Sequence, residues 1–508
     1  MLELVVFICG LSVMIMELAG MRVITPFPGS SFIVWTSVIG VIMTSLSLGY
    51  FLGGKYADRK PSVMKLAFVI FLSALYLFLI SISQFEFLQK ITSSALFNIY
   101  FLSVIVAIVL FTIPSILLAM VSPYALKLAI LNRNILSANS GTIIGKFSAL
   151  ATIGSIVGTF ACGFFLISFF GIDTIFYFLS CLLLITSFLL CISAYKTFLK
   201  SKVFIFFIII QLIILIFAFF LTCYYKKNPR VIFPDSIFSK TTPYSYICVV
   251  QDVKHNLRGL STGDSFFYSI LNSNLPKDDF ADKYYHKVFM DVFKLKQKKS
   301  DVLVLGNAAG LFVRGMVYNS EKNDFNIKNY DVVEIDKELT QIAYDYFDFP
   351  KRDNIHMYYE DARTFLNRES ILQNKKYDLI YFDIYSGVNL LVPSHLLSIE
   401  NFQNINKLMQ KEGILLINVV SSLEGKMFKY LKQVYTQVKT VFPFVKIYYI
   451  EESKNSNFFN FVIIASKEKM ETDVQNRFMK EPYKELVIDN LSDKLYTDLY
   501  NPFEYFTF

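Results

Sequence analysis

The chain has 508 residues, 54% of them hydrophobic, with a mean hydropathy of +0.46 and a formal net charge of +8. Such an apolar fraction is too high for an ordinary soluble protein, and the length suggests roughly two to four domains. The positive charge is not gathered into runs beyond short pieces such as Lys296, Lys298 and Lys299. It therefore reads as the basic loops of a membrane protein and argues against a nucleic-acid partner.

Composition changes sharply along the chain. Up to Tyr225 it is dominated by Ile, Leu, Phe, Val and Gly; beyond it Lys, Asp and Glu recur every few residues. A bilayer core needs about 20 apolar residues per helix, because each residue adds only about 1.5 Å. Seven stretches meet this: 4–21, 33–54, 63–82, 99–121, 147–169, 174–195 and 202–223. The first has no basic n-region, contains Glu17 and is followed by other spans, so it is not expected to be a cleaved signal peptide. Loops after the even spans are basic (Lys55, Arg59, Lys60, Lys65; Lys127, Arg133, Lys146; Lys196, Lys200, Lys202), while the odd loops carry little beyond Arg22 and Lys90. The positive-inside rule puts the even loops in the cytoplasm. An odd number of spans would then place the hydrophilic half outside, whereas Lys226, Lys227 and Arg230 argue for the inside. Charge alone leaves the side open.

Within the spans, Glu17 and Arg22 are read as an interfacial pair locking two helices. Gly145, Ala149, Gly154, Gly158 and Gly163 are read as a close-packing face. Residues Gly49–Arg59 (GYFLGGKYADR) resemble the loop motif of major-facilitator transporters, which keeps a transport reading open. The cysteines Cys9, Cys162, Cys181, Cys191 and Cys223 lie in apolar segments and Cys248 stands alone in the hydrophilic half. With no CxxC spacing, neither a zinc site nor a disulfide framework is indicated, and no metal is expected.

The hydrophilic half begins with a region, 238–299, that reads as a small β-rich element around Gly259 and Gly263. From Ser300, short β-rich runs alternate with helical periods. Asp301–Leu305, Tyr330–Ile335, Ile355–Tyr359, Tyr377–Asp383 and Gly413–Val420 read as buried parallel strands, with Phe444–Ile450 and Phe459–Ala465 completing the sheet. This pattern predicts a Rossmann-like α/β domain over 300–466 and a tail over 467–508, behind a helical membrane domain over 1–225.

Ligands of such sheets bind at the carboxyl ends of the strands. After the first strand comes Gly306–Asn–Ala–Ala–Gly310, where small residues let the backbone approach a ligand. After the second come Glu334 and Asp336, placed to accept hydrogen bonds from a ribose diol; after the third, Glu360, Asp361 and Ala362, where acceptor and backbone can meet an adenine. After the fourth comes Asp383–Ile–Tyr385–Ser386–Gly387. Each carboxylate could instead cap a helix, and for Asp336 and Asp361 the two readings stand even.

These ends, with Thr242–Pro–Tyr244, Tyr285–His286, VVEID, EDARTFL, YDLIYFDIYSG and VPSHLLSIENF, resemble the spermidine synthase family of aminopropyltransferases, relatives of the S-adenosylmethionine methyltransferases. The whole chain resembles bacterial proteins that fuse a multi-span membrane domain to such a domain. The resemblance implies that Glu334 holds the ribose, and Asp361 with Ala362 the adenine, of decarboxylated S-adenosylmethionine or S-adenosylmethionine. It makes Asp383 the base or orienting carboxylate for an attacking amine. Tyr244, His286, Tyr385 and Ser386 would line the pocket of a small-molecule amine acceptor. It further implies a homodimer, multi-pass in the cell (inner) membrane and bathed by the bilayer, with the α/β domain in the cytoplasm where the nucleoside is made.

The chain departs from the family pattern at three places. Ser386 stands where a second aspartate is usual, Lys287 where an acid follows Tyr-His, and the loop GNAAG lacks an acidic residue. The acceptor, and the choice between aminopropyl and methyl transfer, are left open, beside the alternatives of a transporter or a scaffold with a non-catalytic domain.

Overall fold

The computed structural model describes residues 1–24, 32–93, 99–132, 140–170, 172–198, 202–227, 233, 235–242, 244–262, 267–275, 300–323, 327–385, 391–450, 458–469, 483–488, 491–492 and 494–498. It divides into two compact units, Met1–Arg230 with Thr241–Pro243, and Val231–Lys240 with Tyr244–Phe508.

The first unit is a helical bundle: α1 (Leu2–Ile24), α2 (Phe32–Ala57), α3 (Val63–Ser93), α4 (Ile99–Asn132), α5 (Ser140–Ala161), α6 (Ile172–Phe198) and α7 (Lys202–Lys227). A π-turn, Cys162–Leu166, carries α5 on to Phe169. Six of these helices are long and apolar enough to cross a membrane. The seventh predicted stretch folds as α7, whose described apolar run, Ile208–Leu221, is shorter.

Close approach orders the bundle. A Cβ on Gly154 or Gly158 would lie 2.2 or 2.5 Å from the carbonyl oxygens of Phe7 and Leu11, and one on Gly10 would lie 2.3 Å from that of Ala151. Ser155 Oγ donates to the Gly10 carbonyl at 3.3 Å. Residue numbers rise together on both helices, so α1 and α5 run parallel. Gly49 and Gly53 pack in the same sense on Ile116 and Met120 of α4. Ser180 and Ser187 of α6 donate to the carbonyls of Ala74 and Ala67 on α3, so that pair is antiparallel. Together these senses are those of a chain that reverses direction at every helix.

Two expectations are corrected here. Gly145 and Gly163 have nothing within 4 Å of the position a Cβ would take, so the packing face of α5 is Gly154 and Gly158 with Ala151, not the whole small-residue series. Glu17 is buried and has no ion-pair partner among the described residues, with Oε2 lacking any hydrogen-bond partner. Five residues separate it from Arg22, about 140° around a helix, so the two cannot share a face. The described ion pairs of this unit lie elsewhere: Asp58–Lys127 at 2.8 Å and Glu3–Lys146 at 2.7 Å. Asp58 lies near the end of the Gly49–Arg59 segment, and Tyr124 of α4 accepts from the Ser62 amide at 3.0 Å, so the turn between α2 and α3 is fastened to α4.

The second unit holds two sheets. Strands β1 (Ser236–Thr241), β2 (Tyr246–Asp252), β3 (Leu257–Ser261) and β4 (Phe267–Asn272) form one; β2–β3 and β3–β4 are antiparallel. The other has eight strands: β5 (Ser300–Leu305), β6 (Ile327–Val333), β7 (Ile355–Tyr358), β8 (Tyr377–Phe382), β9 (Met409–Ser421), β10 (Phe444–Ile450), β11 (Phe459–Ser466) and β12 (Tyr483–Glu485). Their order is β12-β10-β11-β9-β8-β5-β6-β7. The run from β9 to β7 is parallel and β11, β10 and β12 are antiparallel additions. Val302, Leu303, Val304, Leu379, Ile380, Phe382, Leu415, Leu416 and Ile417 are fully buried, as near-continuous apolar runs in a two-sided parallel sheet must be. Helices α8 (Leu311–Asn323), α9 (Lys337–Tyr346), α10 (Ala362–Leu372), α11 (Ile399–Leu408) and α12 (Gly425–Val441) cover it. Ile247, Val249, Leu260 and Leu271 of the smaller sheet share a core with Ala309, Leu339, Ile342 and Phe347.

The segment after residue 467 has more structure than its sequence suggests. Its residues 483–485 pair with Tyr448–Ile450, and Tyr496 exchanges two hydrogen bonds with the Gln437 side chain. Asp498 accepts from Arg363 and Ser398 at 2.5 and 2.6 Å.

Candidate active site

The strand order reverses at β5, which has β6 on one side and β8 on the other, and the crevice of such a sheet opens beyond the carboxyl ends of those strands. Gly306 and Gly310 both have left-handed φ, +86° and +72°. A Cβ on Gly306 would lie 2.3 Å from the Asp383 carbonyl oxygen, and one on Gly310 2.2 Å from the Phe349 ring. Only glycine meets both conditions, so the loop can turn tightly and bring its backbone against Asp383.

Glu334 holds that loop. Its Oε2 accepts from the amides of Asn307 and Ala308 at 3.0 and 3.1 Å, and Oε1 from that of Asp336 at 3.1 Å. Burial pushes its carboxyl above the ordinary range, and the three amides pull the other way. Its remaining lone pairs are what a ribose diol would have to use.

Asp336 and Asp361 both cap helices. Asp336 is buried and accepts from the Glu338 amide at the start of α9. Asp361 accepts from the amides of Arg363 and Thr364 at 2.8 and 3.2 Å, at the start of α10, where Ala362 is buried. The other Asp361 oxygen faces His395 Nε2 at 3.2 Å. The bond to His395 holds its carboxyl below the usual carboxylate range against partial burial. Arg363 bonds Ser398 and Asp498, so the tail secures the same corner.

Asp383 follows β8 directly, its amide bonded to the Leu305 carbonyl at 2.9 Å. Asn418 Nδ2 donates to Oδ1 of its carboxylate at 2.9 Å, and the Tyr381 hydroxyl to Oδ2 at 2.5 Å. Tyr381 is buried and stacks on Phe312 of α8 with ring centroids 3.8 Å apart. Asn418 is fully buried, and its carbonyl accepts from the Tyr385 hydroxyl at 2.8 Å. The result is a half-buried carboxylate with a set orientation beside a bare glycine backbone.

The structure therefore brings together Gly306, Asp383 and Tyr385, and ties Gly306's loop to Glu334 and Asp336. Asp361 and Ala362 follow β7, at the edge of the sheet beyond β6. Tyr244 is exposed, just before β2. His286 and Ser386, with Tyr285, Lys287 and Gly387, lie outside the described residues. Asn418, Tyr381, His395 and Asn307 were not singled out from sequence. An asparagine inside the apolar run GILLINVV and a histidine inside VPSHLLSIENF were the available signals. Among the described residues, no group of three His, Cys, Asp or Glu could hold a metal ion.

A mostly parallel sheet with this strand order, with acids at successive strand ends, defines a methyltransferase-type α/β domain. Sequence comparison carries the assignment further. No family model matches the chain. The polyamine aminopropyltransferase of Vibrio vulnificus (strain CMCP6) is 32% identical over 108 residues, covering 21% of this chain and 34% of that protein. The polyamine aminopropyltransferase of Alkaliphilus metalliredigens (strain QYMF) is 29% identical over 179 residues, covering 34% and 57%. Among solved structures, a probable spermidine synthase from Corynebacterium glutamicum ATCC 13032 overlaps 49% of this chain and 90% of that one, with 16% identity and a TM-score of 0.39. The relatives that the sequence finds are thus polyamine aminopropyltransferases, in agreement with the motifs, and the chain spans about a third to somewhat over half of their length.

Proposed function

We propose that the chain is a membrane-anchored transferase that moves an alkyl group from an S-adenosylmethionine-type sulfonium nucleoside to a small amine. The observation that carries this reading is the Asp383 carboxylate, oriented by Asn418 and Tyr381 and set against the Gly306 backbone at the point of strand reversal. A primary amine is protonated at neutral pH and cannot attack until it loses that proton. A fixed carboxylate attracts the cation and takes up the proton. The nitrogen lone pair then forms a bond to the carbon beside sulfur, the C–S bond breaks, and its electrons remain on sulfur as the nucleoside leaves as a neutral thioether. Since sulfonium is a good leaving group, alignment of amine, carbon and sulfur supplies much of the catalysis. Glu334 serves the ribose, Asp361 and Ala362 the adenine, and Tyr244, His286, Tyr385 and Ser386 the acceptor side.

The helical unit anchors the enzyme in the cell membrane, a reading supported by six helices of sufficient length and by the reversal of direction from helix to helix. The α/β unit belongs in the cytoplasm, with its nucleoside; a compartment-sensitive reporter at the C-terminus that matures outside the cell would overturn this placement. Incubating the detergent-solubilised full chain with each nucleoside and a panel of amines, and weighing the products, tests the activity. An amine made heavier by an aminopropyl, carboxyaminopropyl or methyl group supports it and identifies the group; unmodified amines throughout contradict it. A transport reading draws on the Gly49–Arg59 loop fastened by Asp58–Lys127 and on the buried Glu17. It requires amine uptake into vesicles that survives Asp383→Asn.

A further inference from the structure

Asn307 is the second residue of the β5–α8 loop. Its side chain is over nine-tenths buried, and neither Nδ2 nor Oδ1 has a hydrogen-bond partner. Leaving both ends of an amide unpaired in the interior costs stability, and a ligand that engaged both would recover that cost. The surroundings narrow the kind of ligand. The Asn307 amide N–H is spent on Glu334 and its carbonyl accepts from Gly310, so the side chain is what this residue has to offer. The rest of the loop, Gly306, Ala308, Ala309 and Gly310, brings no polar side chain and no acid.

Helix α8 begins immediately afterwards, at Leu311, and runs for 13 residues. The helices that follow β6 and β7 are closed by the carboxylates of Asp336 and Asp361. Gly310, which precedes α8, has no side chain with which to do the same. The first-turn amides of a helix lack intrahelical acceptors and carry partial positive charge, so this end favours an anion supplied from outside the loop.

We propose that this loop recognises a sulfonium nucleoside that retains its whole amino-acid tail, in preference to the decarboxylated form. This rests on the nucleoside reading given above. A tail ending in both ammonium and carboxylate matches Asn307 at each end: the ammonium donates to Oδ1, and the carboxylate accepts from Nδ2 and from the start of α8. A decarboxylated tail carries ammonium alone. It would leave Nδ2 unpaired and would bring a second positive charge to a loop without an acid. A co-substrate of the intact kind makes the group passed to the amine a methyl or a carboxyaminopropyl group.

The test is calorimetry on the full chain in detergent with three probes: S-adenosylmethionine, decarboxylated S-adenosylmethionine and 5′-methylthioadenosine, which lacks the tail. Wild type is expected to bind the intact nucleoside about tenfold or more tighter than the decarboxylated one. Asn307→Gly should bring the two within about threefold while leaving 5′-methylthioadenosine binding unchanged. Retained 5′-methylthioadenosine binding also shows that the variant is folded, and Asn307→Ala gives the same reading if the glycine variant is not. Equal or tighter binding of the decarboxylated form by wild type overturns the proposal, as does a preference that persists in both variants. Failure of wild type to bind 5′-methylthioadenosine overturns instead the nucleoside reading beneath it.

Discussion

The helical and α/β units hold their buried acids differently. In the bundle, Glu17 Oε2 and the hydroxyls of Ser12, Ser73 and Ser115 are buried without hydrogen-bond partners, and helices are located by backbone contact at Gly10, Gly154 and Gly158. In the sheet, buried acids have named donors: Asp331 takes Lys375 at 2.6 Å and Tyr377 at 2.7 Å, and Glu334 takes three amides. Close backbone contact places α1 against α5 in the first unit, and directed hydrogen bonds place the buried acids in the second. Orienting a carboxylate to within bonding distance of a reacting nitrogen demands the second method, and Asp383 is found there.

Breaking shape in the bundle should have the largest effect on stability. Gly158→Leu forces α1 and α5 apart and is expected to cost about 1–3 kcal/mol or more. Gly163→Leu, with open space at Cβ, should change stability by less than about 0.5 kcal/mol. Thermal unfolding of the solubilised chain reads both; equal losses would mean that the helices are not held by this contact.

In the sheet, Lys375→Met removes a charged donor from buried Asp331, leaving it with tyrosine hydroxyls, and about 1.5–3 kcal/mol should be lost. Retained denaturant stability would show that the network holds without its cation. Asn418→Ala removes the Nδ2 donor from Oδ1 of Asp383. Turnover should fall roughly tenfold or more, with nucleoside affinity unchanged. A matching fall in affinity would instead point to a collapsed site.

The smallest effect concerns pH. Asp361 has its carboxyl held below 3.8 in the folded chain, so it contributes stability that is present above that pH and lost as pH falls through the lower folded value. His395→Ala removes the first cause of that shift, and because the pair is half-exposed the change should stay under about 1 kcal/mol. Unfolding midpoints of wild type and variant should differ at neutral pH and converge as pH falls through the lowered folded value; a constant difference would rule out this linkage.

Much of the α/β unit was legible because its information is local. The runs DVLVL, YDLIYFD and GILLINVV announce buried parallel strands, and the carboxyl ends of such strands are where sheets of this type bind ligands. What stayed hidden depends on register or on angle. That Asn418 meets Asp383 follows from the pairing of Phe382 with Ile417, which no single strand reveals. Gly158 packs on Leu11 while Gly163, five residues on and inside the π-turn, meets open space, so a stripe that looks uniform in sequence has one packed face and one open side. The docking of Tyr496 and Asp498 uses isolated side chains with no periodicity to betray it. The two carboxylates that cap α9 and α10 show the limit of reading chemistry from a strand end: the same residue types serve helix and ligand.

The central claim is that Asp383 prepares an amine for attack on a bound sulfonium nucleoside. Nucleoside affinity and product formation measured together on wild type and Asp383→Asn test it most directly. The account predicts unchanged affinity and a turnover reduced by about 10²–10⁴, the usual contribution of a positioned general base. Turnover equal to that of wild type would contradict it.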